Sequence, residues 1–135
     1  MIVARQKPIA EVAARIGDAE NVLVAGCVGC VTVCLSGGHK EAEILAASLR
    51  IMRKKEGRPL ATVVRTPERQ CDKEYVDALA EWVAAADCVV SLACGVGVQF
   101  ASEVFEGKRV LPALDTRFYG ANESVGVWSE RCAGC

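Results

Sequence analysis

Residues 25–38 read Ala25-Gly26-Cys27-Val28-Gly29-Cys30-Val31-Thr32-Val33-Cys34-Leu35-Ser36-Gly37-Gly38, and the rest of the chain is organised around them. It follows the apolar run 22–25, which is typical of a strand buried on both faces, and it precedes a helical pattern. Its glycines allow the backbone to bend tightly. The stretch therefore predicts a strand–turn–helix unit whose turn directs three cysteine side chains towards one point.

The rest of the chain alternates between strand and helix patterns. Short apolar runs predict four strands, numbered 1 to 4 in chain order, at residues 22–25, 60–64, 87–92 and 109–111. Apolar residues at helical spacing predict four helices, at residues 8–16, 41–55, 73–86 and 98–105. Strands that alternate with helices form parallel sheets with right-handed crossovers. The sequence therefore predicts an α/β fold, a three-layer αβα arrangement around a four-stranded, mostly parallel sheet of order 2-1-3-4.

The last segment of the chain lacks this alternation. We expect an α/β domain over residues 1–115 that carries the metal site, and a loop-like, cysteine-containing tail over residues 116–135. The tail ends on Cys132-Ala133-Gly134-Cys135, a C-x2-C pair with nothing after it. This pair predicts a possible second metal site that is truncated in mid-motif.

The composition excludes several classes of function. The chain of 135 residues has a formal net charge of −1 and only 5% aromatic residues, which argues against nucleic-acid binding. No apolar run approaches the roughly 20 residues of a membrane-spanning helix, and the N-terminus lacks a signal-peptide pattern. We therefore expect a cytoplasmic protein that binds no nucleic acid and has no membrane span.

Eight cysteines are the unusual feature of this composition. Disulfide scaffolds are typical of small, secreted, loop-rich domains, whereas this chain has regular elements and enough length for a core. In a reducing compartment, clustered cysteines more often bind metal or carry out redox chemistry. We therefore interpret the clustered cysteines as metal ligands rather than as disulfides.

Five cysteines fall in the turns that follow predicted strands 1, 2 and 3. In an open parallel sheet these turns lie at one edge, where ligands bind, and in the order 2-1-3 they are neighbours. Cys88 instead begins strand 3 at the opposite edge, where we expect a small buried apolar residue. The sequence therefore predicts one metal site built from Cys27, Cys30, Cys34, Cys71 and Cys94.

Four thiolates are enough for a metal centre, so one of these five is spare. The first choice of ligands is Cys30, Cys34, Cys71 and Cys94. Cys27 lies at the strand end, where its side chain is expected to point into the core, but the choice between it and the others stays open.

The expected group is a 4Fe–4S cluster, with zinc as the alternative. Ligands from three separate loops suit a large cubane better than one small ion, and helix N-termini in these loops stabilise an anionic cluster. Arg65 and Arg69 flank the site and would lower its charge. A third hypothesis is a redox sensor that uses Cys27 and Cys30 as a dithiol. The single histidine, His39, leaves the chain without a catalytic set of its own.

Four motifs, in order, cover most of the chain from about Val22. They are Gly26-Cys27-Val28-Gly29-Cys30-Val31-Thr32-Val33-Cys34 with Gly37-Gly38, Arg69-Gln70-Cys71, Ala93-Cys94-Gly95-Val96-Gly97-Val98-Gln99, and Arg131-Cys132-Ala133-Gly134-Cys135. Together they resemble the methylenetetrahydrofolate reductase C-terminal family, which includes the small iron–sulfur subunit of the acetogen-type reductase. In that family the last C-x2-C continues into further cysteines that are absent here.

The resemblance implies an accessory subunit of an oxidoreductase in one-carbon metabolism. It implies that the partner is the flavin-containing methylenetetrahydrofolate reductase catalytic subunit, which holds the folate and flavin sites. It also implies that Cys132 and Cys135 correspond to the start of a second metal site. We therefore expect an electron-transfer subunit, with a zinc-binding structural or interaction domain of the same complex as the alternative.

Overall fold

The structure is a computed structural model that describes residues 1–134. Within that range the strands are β1 (Ile2–Gln6), β2 (Asn21–Ala25), β3 (Ala61–Arg65), β4 (Cys88–Ser91), β5 (Arg109–Pro112), β6 (Leu114–Ser124) and β7 (Val127–Cys132). The helices are α1 (Ile9–Ile16), α2 (Cys30–Val33), α3 (His39–Lys55), α4 (Lys73–Asp77), α5 (Ala80–Ala85) and α6 (Gly95–Val104).

Four strands form an all-parallel sheet in the order β3-β2-β4-β5. This confirms the mixed α/β class and the four-stranded parallel sheet. The strand β1, which the sequence did not predict, precedes the others in the chain. Predicted strands 1 to 4 are therefore β2 to β5, and the numbering of the observed order differs from 2-1-3-4.

The central strands β2 and β4 are buried along almost their whole length. Side chains of β2 alternate between two hydrophobic clusters, with Val22 and Val24 in one and Leu23 and Ala25 in the other. Residues of α1 and α3 belong to the first cluster, and a residue of α5 belongs to the second. Helices therefore cover both faces of the parallel sheet, which explains why the strand sequences are continuously apolar.

A second, antiparallel sheet has the order β1-β6-β7. The prediction of a loop-like tail over residues 116–135 is therefore wrong for most of that segment. Leu114 and Phe118 of β6 pack against the larger hydrophobic cluster, and Gly126, with a φ of 83°, allows the tight turn into β7. The expected boundary after residue 115 falls inside β6.

The helices depart from the predicted pattern in two places. The predicted helix 73–86 is divided into α4 and α5, with the side chain of Asp72 accepting a hydrogen bond at the start of α4. The short helix α2 lies within the cysteine-rich loop, where no helix was predicted. Among the helices of the described part of the chain, none is long and apolar enough to cross a membrane.

Candidate metal centre

The carboxyl ends of three neighbouring strands are aligned at one edge of the parallel sheet. Ala25 of β2 is in register with Arg65 of β3 and with Ser91 of β4. Beyond this edge the Val28 N–H donates a hydrogen bond to the Pro67 carbonyl oxygen (3.1 Å). The loop after β2, which carries Cys27, is thereby held against the loop after β3, which carries Cys71.

Cys27 lies directly after β2 and is buried, with 8% of its surface exposed. Burial raises the pKa of its thiol, and charge on Cys94 and Cys71 raises that pKa further, whereas the backbone N–H groups of Gly29 and Gln70 lower it. The Cys27 sulfur lies 3.9 Å from the Glu68 carbonyl oxygen, in the loop that also carries Cys71. The loops that carry Cys27, Cys71 and Cys94 therefore lie at one edge of the sheet.

Cys71 and Cys94 form the more open side of this group. Cys71 is exposed and Cys94 is half-buried. Cys94 is the N-cap residue of α6, and the next N–H, that of Gly95, donates to the Thr116 hydroxyl oxygen (3.0 Å). An anionic group bound beside Cys94 would therefore lie at the positive end of the α6 dipole.

Cys30 is the first residue of α2 and is half-buried. It shares the loop after β2 with Cys27, from which two residues separate it. The pair is a C-x2-C arrangement, a common spacing for two ligands of one metal group. Cys30 is therefore the candidate fourth ligand.

Cys34 is turned away from this group, towards β1. Its sulfur accepts a hydrogen bond from the Ala4 N–H (3.4 Å), lies 3.1 Å from the Ser36 hydroxyl oxygen, and is buried. This placement does not support the preference for Cys34 over Cys27 as a ligand. The reason is the strand β1, which covers Cys34.

The remaining described cysteines lie elsewhere. Cys88 is fully buried, and burial raises the pKa of its thiol, in agreement with its interpretation as a core residue. Cys132 ends β7 and is exposed, and the Gly134 N–H donates to its sulfur (3.4 Å). Cys135, the other half of the possible second metal site, lies outside the described residues.

The spacing of the thiols bears on what the site holds. In residues 1–134, no three Cys, His, Asp or Glu side chains lie close enough together to hold a metal ion. A zinc ion keeps its ligands at about 2.0–2.3 Å. Thiols are soft ligands that suit zinc and iron–sulfur clusters alike, so the donor types fit both candidate groups.

Arg65 and Arg69 were expected to flank the metal site, and Arg65 has a different contact. The Arg65 guanidinium carbon lies 3.6 Å from the centre of the Trp82 ring, so Arg65 is engaged on the face of the sheet that α5 covers. Arg69 is exposed and lies beside the loop after β2, with its Cγ atom 4.0 Å from where a Cβ at Gly29 would be. His39 is exposed, with its Nδ1 atom 3.0 Å from the Thr66 hydroxyl oxygen.

Sequence reasoning missed two buried polar residues behind the thiols. Gln70 is 1% exposed and Ser91 is fully buried, and the Ser91 hydroxyl donates to the Gln70 Oε1 atom (2.7 Å). Neither residue belongs to a periodic pattern. The one available signal was the position of Gln70 directly before Cys71.

Comparison of the chain with family models, with curated proteins and with solved structures finds no match.

Proposed function

We propose that this chain is an iron–sulfur subunit or domain that transfers electrons to a flavin-dependent methylenetetrahydrofolate reductase. Its ligands to a 4Fe–4S cluster are Cys27, Cys30, Cys71 and Cys94. The observation that supports the metal site is that the three loops carrying Cys27, Cys71 and Cys94 follow neighbouring strands at the carboxyl edge of the sheet. The identity of the partner rests on the four motifs that resemble the reductase family.

The chain's own residues bind such a group and balance its charge. The N–H groups of Gly29 and Gln70 favour the thiolate form of Cys27, and hydrogen bonds to cluster sulfurs are a main control of reduction potential. Cys94 adds the N-terminal end of α6. When bound, a 4Fe–4S cluster supplies transfer of single electrons.

Apolar side chains beside the thiols fit a protein partner on this side of the molecule. Val28 follows Cys27 directly and is 50% exposed, and Val96 lies two residues after Cys94 and is 55% exposed. We assign these two side chains to the contact with the partner. A partner that covers them would approach the thiols closely, as electron transfer requires.

Metal analysis after anaerobic purification tests the metal site. We expect about four iron and four sulfide per chain, with broad absorption from thiolate–iron charge transfer. Cys71→Ala and Cys94→Ala should abolish iron binding, whereas Cys88→Ala, the matched control, should retain it. A colourless protein that carries zinc would favour the structural alternative, and equal metal content in all three variants would refute the site.

A separate experiment tests the partner. The chain is loaded with its cluster, reduced chemically and mixed anaerobically with a flavin-containing methylenetetrahydrofolate reductase catalytic subunit, while flavin absorbance is recorded. We expect the flavin to become reduced, and the Cys94→Ala chain to leave it oxidised. A loaded wild-type chain that never reduces the flavin would remove the folate partner but leave the metal site standing.

A further inference from the structure

The side-chain amide of Gln70 is buried and uses all of its hydrogen-bonding groups. Its Nε2 atom donates to the carbonyl oxygens of Ala25 (2.9 Å) and Gly26 (2.7 Å), at the end of β2. Its Oε1 atom accepts from the Ser91 hydroxyl (2.7 Å), at the end of β4. One side chain therefore joins the carboxyl ends of two neighbouring strands from the loop that follows a third.

Each of these bonds ends close to a cysteine of the site. Gly26 directly precedes Cys27, and Gln70 itself directly precedes Cys71. The Ser91 hydroxyl oxygen also accepts from the Ala93 N–H (3.2 Å), and Ala93 directly precedes Cys94. The three cysteine loops are thus connected to one another through a single amide.

The start of α6 packs directly on this amide. A Cβ atom at Gly97 would lie 2.7 Å from the Ala93 Cβ and 3.1 Å from the Gln70 Cβ, so only glycine permits the observed approach. Gly97 therefore lets the first turn of α6, which follows Cys94, close over the hydrogen-bonded pair of Gln70 and Ser91.

We propose that Gln70 is a positioning residue that fixes the three cysteine loops relative to one another before any metal binds. The inference rests on the proposed function of the site as a metal centre. An amide suits this role because it presents two donors to two carbonyl oxygens and one acceptor to a hydroxyl. A carboxylate in its place would face two carbonyl oxygens without a proton. A leucine would leave the Gly26 carbonyl oxygen and the Ser91 hydroxyl proton without this partner, whereas the Ala25 carbonyl oxygen would keep the Leu92 N–H.

The test compares Gln70→Leu and Gln70→Glu with a matched control, Gln99→Leu, at an exposed position of α6. Amide hydrogen exchange is measured on the metal-free chain. We expect exchange to become about tenfold faster in residues 26–30, 70–72 and 93–95 of both Gln70 variants, with β2 and β4 unchanged, because buried hydrogen bonds are lost there. The control should exchange like the wild type.

A second readout uses Co²⁺ as the probe, followed by its thiolate charge-transfer absorption. We expect the Gln70 variants to bind Co²⁺ about tenfold more weakly than the wild type, because their thiols are no longer held in place. Wild-type exchange rates in the three segments would overturn the proposal, and so would faster exchange spread evenly over the whole chain, which indicates a merely structural role.

Ser91→Ala keeps the inference falsifiable if the Gln70 variants do not fold. This change leaves the bonds from Gln70 to the end of β2 in place, so we expect faster exchange in residues 93–95 only. Unchanged exchange there would contradict the role of the amide. A wild-type chain that binds neither iron nor Co²⁺ would refute the proposed function, whereas the exchange of the metal-free chain tests Gln70 independently.

Discussion

Cys27 and Cys34 lie seven residues apart in the same loop, yet their surroundings are opposite. The Cys27 sulfur lies 3.9 Å from the Glu68 carbonyl oxygen, in the loop that carries Cys71. Cys34 faces the backbone of β1 and the Ser36 hydroxyl, so its sulfur is already satisfied. Both are buried, and burial alone therefore does not separate a ligand from a structural cysteine. The partners of each sulfur do.

Exchanging these two cysteines for alanine separates the two roles. We expect Cys27→Ala to lose iron, and Cys34→Ala to keep it while the free energy of unfolding falls by about 1–3 kcal/mol, because the Ala4 N–H and the Ser36 hydroxyl lose a buried partner. Iron analysis and urea denaturation of the metal-free chains measure the two effects. Loss of iron in Cys34→Ala with full iron in Cys27→Ala would reverse the assignment.

Asp87 lies at the other edge of the sheet and makes the free energy of unfolding depend on pH. The N–H groups of Asn21 and Glu20 donate to its carboxylate (2.8 and 2.9 Å) and lower its pKa below the ordinary value of 3.8. Because the folded-state pKa is lowered, the stabilisation is present above pH 3.8 and is lost as the pH falls through the folded-state pKa.

The Asp87→Asn variant tests this dependence. We expect it to melt at a lower temperature than the wild type at neutral pH, and the difference to shrink once the wild-type carboxylate is protonated. Thermal melts over a pH series are the measurement. Asp18→Asn serves as control, since Asp18 forms only an exposed ion pair with Arg58 and should change little. A difference that stays constant down to low pH would contradict the role of the charge.

Among the elements, the turn between the cysteine loop and α3 is closely packed at Gly37. A Cβ atom at Gly37 would overlap the carbonyl oxygen of Leu92, at the end of β4, and would lie 2.9 Å from a methyl carbon of Val31. A backbone oxygen cannot move aside as a flexible side chain can. The turn therefore depends on glycine for space rather than for a positive φ.

Gly37→Ala should accordingly lower the free energy of unfolding by about 3 kcal/mol. Gly57, just after α3, is the matched control: its φ is 70° and nothing lies near it, so Gly57→Ala should cost only backbone strain of about 1 kcal/mol. Chemical denaturation compares the two variants. Equal losses would show that the overlap at Leu92 is relieved by a small shift.

Hydrophobic periodicity predicted the long elements and missed the short ones. Helix α3 has 17 residues and a clear buried stripe, and β2 and β4 are continuously apolar, so their patterns were visible. Helix α2 has four residues, too few to show a period, and it exists because the loop after β2 folds back on itself. The break between α4 and α5 contains no proline or glycine, so the sequence did not indicate it.

Across the whole molecule, the parallel sheet was predictable, and with it the edge at which the loops carrying Cys27, Cys71 and Cys94 lie. The direction of each side chain was beyond prediction, because it depends on the second sheet. The antiparallel sheet was not predicted because β6 and β7 are mostly exposed. A sheet with one solvent-facing side contributes few apolar residues to the sequence. The contact of the Cys34 sulfur was beyond prediction for the same reason, because its hydrogen-bonding partner lies on β1.

The second sheet should therefore contribute to global stability. A chain ending at residue 115 loses the partner of β1 and uncovers Val3 and Ala4, and we expect its free energy of unfolding to fall by about 3 kcal/mol or more. A chain ending at residue 124 keeps the β1–β6 pairing and loses only β7 with the packing of Trp128, so it should be intermediate. Urea denaturation followed by circular dichroism ranks the three chains. A chain of residues 1–115 as stable as the full chain would mean that β1 and β6 do not complete the core.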